Sequence, residues 1–441
     1  MRDLALALAT LLMTAASLAN PGTGMLAWVW FSIESPHQMV YGFTLGRPLN
    51  SIIAAATLSS WLLQKGNKRL PGDMMFWLLL AFILWMTFNL LFVPFFSYSF
   101  DLWNTFMRAF IEVLLAFFLL NTKLRIQGMV WVLIISLGYY GAKGGVFTII
   151  HGGTARVYGP FGTMINDNNN LALAMVMVLP LVYYAWRTTA AWWLRLILLA
   201  AFGLDILMVF GSYSRGGVVA LGVMLFLLWL RSDRKIIYGT AAVVLVAGGL
   251  SVMPAAFWDR MHTINHAEQD GSFMGRVHAW HVAFDYARDH FPFGAGYAAP
   301  QRGEIFNFYL PGVMPHAAHS IYFEVLGEHG FIGLAIYLFI LFYALRNTWI
   351  VIRQTRGRPE LQWARELADM CQVALIAFYI GGAALSLAYY DGYLLLFPIL
   401  SNLRRLTAPS RVPVEAPESP RPAPAGRRVA TAAARGAALE L

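Results

Sequence analysis

A pair of histidines closes the most polar part of this chain. Residues 254–319 are rich in Arg, His, Asp, Gly and Pro within a largely apolar sequence, and this interval ends with His316 and His319. Because histidine titrates near about pH 6.5, His319 is a candidate general base, whereas His316 better fits a hydrogen-bonded histidine at an interface. Two histidines at this spacing could also ligate a metal ion. No HExxH motif or carboxylate cluster accompanies them, so we predict no metal site.

Three arginines are candidates for binding an anion, because a guanidinium can pair its N–H donors with phosphate oxygens. Arg215 lies in the segment 211–217, a tight joint between two apolar runs, where glycines let a ligand approach closely. Arg276 follows Gly275 in the polar interval, and Arg156 precedes a Val-Tyr-Gly-Pro segment. The alternative is that such arginines extend toward lipid phosphates or lie on a solvated helix face.

The composition indicates what kind of scaffold must position these side chains. Of the 441 residues, 59% are hydrophobic and 12% charged, against roughly 25% charged in soluble domains. Apolar runs long enough to cross a bilayer recur along the chain, so we predict an all-α polytopic membrane protein. About twelve crossings are expected, near 4–32, 48–64, 74–94, 100–120, 126–150, 169–186, 194–212, 216–230, 236–253, 320–345, 370–389 and 390–403.

The first predicted crossing contains a Pro-Gly pair at Pro21, which could divide it into two helices and so place the N-terminus outside. Residues 1–20 also resemble a signal peptide, but the crossings that follow favour an uncleaved helix. The single cysteine, Cys371, lies in an apolar run, so an intramolecular disulfide is excluded and redox chemistry is not expected.

Lysine and arginine collect in alternate joints between the runs, and the positive-inside rule makes these joints cytoplasmic. The net charge of +9 then reflects topology and contact with anionic lipid headgroups, and it gives no support for nucleic-acid binding. The joints 95–99, 151–168 and 213–215 and the long loop 254–319 face outward. The basic joints are Lys65–Arg69, Lys123–Arg125, Arg187, Arg231–Lys235, Arg346–Arg358 and Arg404–Arg405.

Two segments outside the crossings have their own patterns. After Gly275, apolar residues recur at helical spacing and predict a short helix lying along the membrane surface. The tail, residues 406–441, is rich in Pro, Ala and Arg and should be disordered in the cytoplasm. The apolar residues of the short helix are Val277, Trp280, Phe284, Ala287 and Phe291.

The motifs, in this order, resemble those of the O-antigen ligase and polymerase family of bacterial inner-membrane glycosyltransferases. That family has a Ser-Arg-Gly turn, here at Arg215, then a Gly-Arg in a large periplasmic loop, here at Arg276, and a histidine near the end of the loop, here His319. The resemblance covers about residues 1–405. Family members often have Asn after the histidine, whereas this chain has Ser320, which weakens the expectation of an amide contact to the sugar.

A narrower resemblance concerns three segments, 156–160, 167–169 and 316–330. They look like the O-glycosylation ligases associated with exosortase systems. The Asn/Asp run 166–170 stands before a predicted crossing, so it could cap that helix or form part of a polar sugar site.

The resemblance implies a periplasm-facing enzyme of the inner membrane that needs no metal, ATP or other cofactor. An undecaprenyl-pyrophosphate-linked glycan would be the donor and a lipid A-core hydroxyl the acceptor, with inversion at the sugar carbon. His319 would be the base, and Arg215, Arg276 and Arg156 would bind the pyrophosphate. Residues that could contact the donor or acceptor sugar are Asp167, Asn168, His316, Tyr322 and Glu324.

Other functions remain open at this stage. The acceptor could instead be a protein or a growing glycan, as in protein O-glycosylation or polysaccharide polymerisation. A flippase or anion transporter would use its arginines to bind a moving substrate. Symmetric helical repeats or charges buried at the middle of the membrane would favour a transporter, and the sequence shows neither.

Overall fold

The computed structural model describes residues 1–65, 68–262 and 271–409. In this part of the chain the secondary structure is helical and no strand is present, which confirms the all-α prediction. The compact unit is Met1–Ala408. The helices are α1 (Arg2–Ala19), α2 (Pro21–Glu34), α3 (Leu49–Leu63), α4 (Met74–Asn89), α5 (Phe96–Leu119), α6 (Lys123–Ile150), α7 (Asn168–Thr188), α8 (Trp192–Gly211), α9 (Arg215–Arg231), α10 (Lys235–Ser251), α11 (Ala255–His262), α12 (Gly271–Asp289), α13 (Gly303–Tyr309), α14 (Ile321–Gln354), α15 (Gln362–Gly382), α16 (Asp391–Leu394) and α17 (Leu396–Thr407).

Fewer helices than the twelve predicted crossings are long and apolar enough to span a membrane. Among the described residues there are seven, or eight if the sharply bent pair α10 and α11 counts as one span. Helix α3, with 15 residues, is one of the shorter apolar helices. The count of twelve therefore remains a prediction. The seven helices are α1, α4 with the turn that follows it, α5, α6, α7, α8 and α14.

The first predicted crossing is two helices. Asn20 ends α1 in an extended conformation, and its side chain caps α2 by accepting a hydrogen bond from the Gly22 N–H at 2.8 Å. At the other end of the pair, Asp3 accepts hydrogen bonds from Thr44, which lies shortly after the end of α2. Since the start of α1 and the chain beyond α2 meet, α1 and α2 are antiparallel.

The basic joints lie together at one end of the helix bundle, hereafter the basic end. Salt bridges join joints that are far apart in sequence: Arg187 with Glu366 at 3.5 Å, and Arg231 with Asp369 at 2.7 Å. Across the same end, Arg404 lies 3.4 Å from Asp73, the residue before α4. This grouping is what the positive-inside pattern predicts for one face of a membrane protein.

Two carboxyl side chains are buried within the helices. Glu112 in α5 and Asp205 in α8 are both almost fully buried. Asp391, at the start of α16, accepts a hydrogen bond from Ser32 at 2.7 Å. Average hydropathy does not reveal buried carboxyl groups of this kind, because one carboxyl group changes the mean hydropathy of an apolar helix only slightly.

The sequence predicts that the tail begins at residue 406, which is two residues too early. Leu406 and Thr407 are the last residues of α17, and the Thr407 Oγ1 donates a hydrogen bond to Leu403 O at 2.9 Å. Residues 410–441 of the predicted tail lie outside the described residues. The described part of residues 254–319 contains α11, α12 and α13, and the location of this segment on the outer face remains a prediction.

Candidate active site

The Ser-Arg-Gly motif forms a tight turn between α8 and α9. Tyr213 has a φ of +60°, a left-handed conformation that is uncommon outside glycine. Ser214 caps α9, because its Oγ accepts a hydrogen bond from the Gly217 N–H at 3.1 Å, and Arg215 is the first residue of that helix. Arg260 of α11 donates from Nε to the Tyr213 carbonyl oxygen at 3.1 Å. The turn therefore places Arg215 at the positive end of a helix dipole, beside a segment fixed by Arg260.

The loop before α7 packs directly on this turn. The Val157 N–H donates to the Gly211 carbonyl oxygen at 3.0 Å, and the Tyr213 hydroxyl donates to Gly153 O at 2.7 Å. The Arg156 guanidinium lies 5.5 Å from the centre of the Tyr213 ring, a cation–π distance. The structure thus brings the Arg156 segment and the Arg215 segment together, and their shared role in binding an anion remains a prediction.

The Asn/Asp run serves partly as a helix cap. Asp167 accepts a hydrogen bond from the Asn169 N–H at 2.8 Å and so caps α7. Asn168 is buried and donates from its amide to Ser212 O at 2.7 Å, which ties α7 to the Tyr213 turn. Asp167 and Asn170 line the cavity described below, whereas Asn168 is not part of its lining. The role of Asn168 seen here is to position the turn.

His319 stands just before α14 in a strained conformation, with a φ of +42°. Its Nδ1 is buried and has no hydrogen-bond partner among the described residues. Burial lowers the pKa of His319 below its usual 6.5; the Arg276 charge and His316 lower it further, while Asp167 acts in the opposite direction. Arg276, Asp167 and His316 are therefore the charged or titratable groups around it, and they come from three different segments.

Helix α12 holds Arg276 and supports the histidine segment. It is already formed at Gly271, four residues before the predicted start. A Cβ atom at Gly275 would lie 2.6 Å from Cδ2 of His316, so only glycine allows this approach. Two of its apolar side chains contact α14: Trp280 stacks on Phe323 at 5.1 Å, and Phe284 meets Phe331 edge-on at 5.8 Å. Phe284 and Phe291 remain 44% and 68% exposed, so membrane contact stays a prediction for that edge.

A cavity of about 270 Å³, hereafter the inner cavity, lies beside His319. Its lining includes both histidines and Asp167, Glu324 and Glu328, and it contains no lysine or arginine among the described residues. The Glu328 carboxylate accepts hydrogen bonds from the Ala298 N–H at 2.7 Å and the Tyr389 hydroxyl at 2.6 Å. In the same way, Glu324 accepts from the Ala388 N–H at 3.2 Å.

Sequence reasoning missed Glu328 and Tyr389. The sequence signal that could have identified Glu328 is its spacing of four residues from Glu324, which places both side chains on one face of a helix. Tyr322, which the sequence suggests as a sugar contact, instead donates its hydroxyl to Tyr379 O at 2.9 Å and is not part of the cavity lining. Within the described residues, no group of three His, Cys, Asp or Glu side chains is placed to hold a metal ion.

The loop at 291–297 follows α12 and leads to Ala298 and Pro300, which line the inner cavity. It runs beside α14, where the Ala295 and Gly296 N–H groups donate to the carbonyl oxygens of Gly327 and Glu328 at 2.8 and 3.0 Å. Gly330 has a φ of +70° inside α14, and a Cβ there would collide with the Pro292 carbonyl oxygen. Glycine at this position therefore lets the loop and the helix pack closely.

Two known families match separate segments of the chain. Residues 1–190 match a family of unknown function. No curated protein matches the sequence. Residues 200–338, which include Arg215, Arg276 and His319, match the family described as O-antigen ligase. Residues 200–338 are therefore similar to the O-antigen ligase family, the family that the motifs around Arg215, Arg276 and His319 resemble.

Proposed function

We propose that the chain transfers a glycan from undecaprenyl pyrophosphate to an acceptor hydroxyl on the periplasmic face of the inner membrane. The observation that carries the proposal is the setting of His319. Its partly buried imidazole lines the inner cavity, and burial together with Arg276 favours the neutral form, which can accept a proton. His319 would take the proton from the acceptor hydroxyl as its oxygen attacks the anomeric carbon of the donor sugar.

The bond from that carbon to the pyrophosphate oxygen breaks in the same step, and the electron pair leaves with the lipid pyrophosphate. Direct attack inverts the anomeric centre. Arg215, Arg276 and Arg156 would stabilise the charge that grows on the leaving oxygens. Support comes from the packing of the Arg156 loop on the Tyr213 turn and from the position of Arg215 at a helix N-terminus. No metal or nucleotide is needed in this step, because the donor is already activated.

We take lipid A-core as the first candidate for the acceptor. A specific feature of the inner cavity favours a second candidate. Its lining carries Asp167, Glu324 and Glu328 but, among the described residues, no lysine or arginine. Carboxyl groups exchange hydrogen bonds with hydroxyl groups, whereas a phosphate is bound best by the N–H donors of lysine and arginine. A hydroxyl on a protein or on an unphosphorylated glycan fits this lining better than a phosphate-bearing core.

The test is transfer by the purified protein in nanodiscs, supplied with a lipid-linked glycan and either lipid A-core or an acceptor protein. We expect His319→Ala to reduce transfer by roughly 10²- to 10⁴-fold, the usual contribution of a general base, while donor binding is kept. His316→Ala should do far less. Near-normal transfer by His319→Ala would remove the base, and activity restored only by added Zn²⁺ would favour a metal site.

The same assay separates a ligase from a transporter. If the wild-type protein moves the lipid-linked glycan across the bilayer without forming a glycosidic product, the ligase proposal is wrong. Buried Glu112 and Asp205 would then become the first residues to test in transport. The configuration of the product sugar, measured by NMR, checks the inversion independently.

A further inference from the structure

An open groove of about 1,050 Å³, hereafter the lateral groove, is lined by residues that do not line the inner cavity. Helices α1, α2 and α6 and the loop before α7 form it, so it belongs to the part of the chain that matches a family of unknown function. Its lining includes the apolar side chains Leu6, Ala9, Trp30 and Phe147.

A lysine in this groove is unexpected for a membrane helix. Lys143 is exposed and lies in α6, a helix apolar enough to span a membrane, seven residues before its end at Ile150. At 1.5 Å per residue it lies about 10 Å from that end. Lys123 is at the opposite, basic end of the same helix. The positive-inside rule therefore explains the charge at Lys123 but not the charge at Lys143. A charge at this depth is costly and marks a functional site by default.

Lys143 and Arg156 line the same groove, and the residues that follow them are in contact. The residue after Lys143 is Gly144, and a Cβ there would lie 2.9 Å from Cγ1 of Val157, the residue after Arg156. Arg2 is a third cation of the lining. The acidic side chain that interacts with Lys143 is Glu34, so positive charge predominates in this stretch of the groove.

The loop that carries Arg156 separates the two spaces. Residues 156–161 and Leu171 line the lateral groove, whereas Met164, Asp167 and Asn170 line the inner cavity. Arg156 also stacks over Tyr213, two residues before Arg215. An anion held by Lys143 and Arg156 would therefore lie beside the arginines of the Tyr213 turn.

We infer that the lateral groove holds the lipid part of a polyprenyl pyrophosphate, with the isoprenoid chain on the apolar lining and the pyrophosphate at the Arg156 end, where Lys143 and Arg2 add to the positive charge. An apolar surface that ends in several cations matches a ligand with a long hydrocarbon chain and a doubly charged head. The inference rests on the proposed function, since it names where the donor of that reaction binds, and it gives the segment of unknown function the role of donor recognition.

The test measures binding of undecaprenyl pyrophosphate to the full-length protein by native mass spectrometry. Lys143→Met should weaken binding about tenfold, since it removes a hydrogen bond to a charged group, and Lys143→Arg should keep most of it. The matched control is Lys123→Met, at the other end of the same helix, which should bind like the wild type. Ala9→Phe, which narrows the apolar lining, should weaken undecaprenyl pyrophosphate more than geranyl pyrophosphate.

Three results would overturn the inference: wild-type affinity in Lys143→Met, equal losses in Lys143→Met and Lys123→Met, or displacement of the pyrophosphate lipid by an equal amount of phosphatidylglycerol. Steady-state transfer separates it from the proposed function. If transfer occurs and Lys143→Met leaves the KM for the donor unchanged, only the groove is wrong. If the Lys143-dependent binding is found but no acceptor is ever glycosylated, the groove stands and the transferase proposal fails.

Discussion

The indole Nε1–H of Trp280 donates a 2.7 Å hydrogen bond to the carbonyl oxygen of Ala318, the residue that precedes His319. The same indole stacks on Phe323, four residues after His319, with an interplanar angle of 9°. Trp280 therefore holds the chain on both sides of the proposed base. This contact fixes a backbone that is strained at His319, where φ is +42°.

Trp280→Phe should keep the stacking on Phe323 and lose the hydrogen bond to Ala318. We expect transfer to fall by about tenfold or more, because a small displacement of a reacting group is costly in rate, while the protein still folds. The measurement is kcat with saturating donor and acceptor, beside thermal unfolding. Trp349→Phe, an exposed tryptophan of α14 near the basic end, is the control. Equal effects of the two substitutions would show that Trp280 does not position His319.

The acidic limb of the pH profile should report the charges around His319. Transfer requires neutral His319, so the rate falls as the pH drops through its pKa, which burial and Arg276 place below the usual 6.5. Arg276→Gln removes a cause of that lowering, so the limb should move to higher pH even as the overall rate falls. Asp167→Asn removes the opposing charge but keeps a side chain that can cap α7, so the limb should move to lower pH.

The check is kcat/KM measured across about pH 5 to 8, the range in which histidine titrates, with His316 left in place. A purely structural effect of either substitution would reduce the rate at every pH without moving the limb. Shifts of both variants in the same direction would contradict the electrostatic account.

Replacing Arg215 with lysine separates charge from geometry. Lysine keeps the positive charge but loses the planar pair of donors that matches two phosphate oxygens. Arg215→Lys should therefore lose roughly 10- to 100-fold in kcat/KM, the range expected for a hydrogen bond to a charged group. Arg276→Lys should also be impaired, with partial activity retained. Arg195→Lys, on the basic side of α8, serves as the control. Wild-type rates in both site variants would exclude bidentate recognition.

The orientation of the bundle can be measured with single cysteines in a Cys371→Ser background. Exposed positions near the site, Tyr158, Phe308 and Met314, should react with an impermeant thiol reagent in intact spheroplasts. Asp233 and Arg356, which are exposed at the basic end, should react only after lysis. The reverse pattern would place His319 in the cytoplasm, away from a periplasmic donor. The proposed reaction on the periplasmic face would then be wrong.

The sequence by itself determined the all-α fold class and the motifs that contain the candidate site residues. Long apolar runs require helices, the Pro-Gly pair at Pro21 allows the break between α1 and α2, and basic residues in alternate joints predict the end at which those joints meet. Three short motifs, around Arg215, Arg276 and His319, were sufficient for a resemblance to the O-antigen ligase family. These features are local, so composition, periodicity and spacing carry them.

Only the tertiary structure decided which groups share a space. Glu328 and Tyr389 are 61 residues apart and meet in the inner cavity, while Lys143 and Arg156 line the same groove through the contact of Gly144 with Val157. Asn168 and Tyr322 have side chains suited to a sugar, but they hydrogen-bond to backbone carbonyl groups of distant segments. The physical reason is that such partners are set by how helices pack against one another, and hydropathy along a single helix does not specify which residues its neighbours bring.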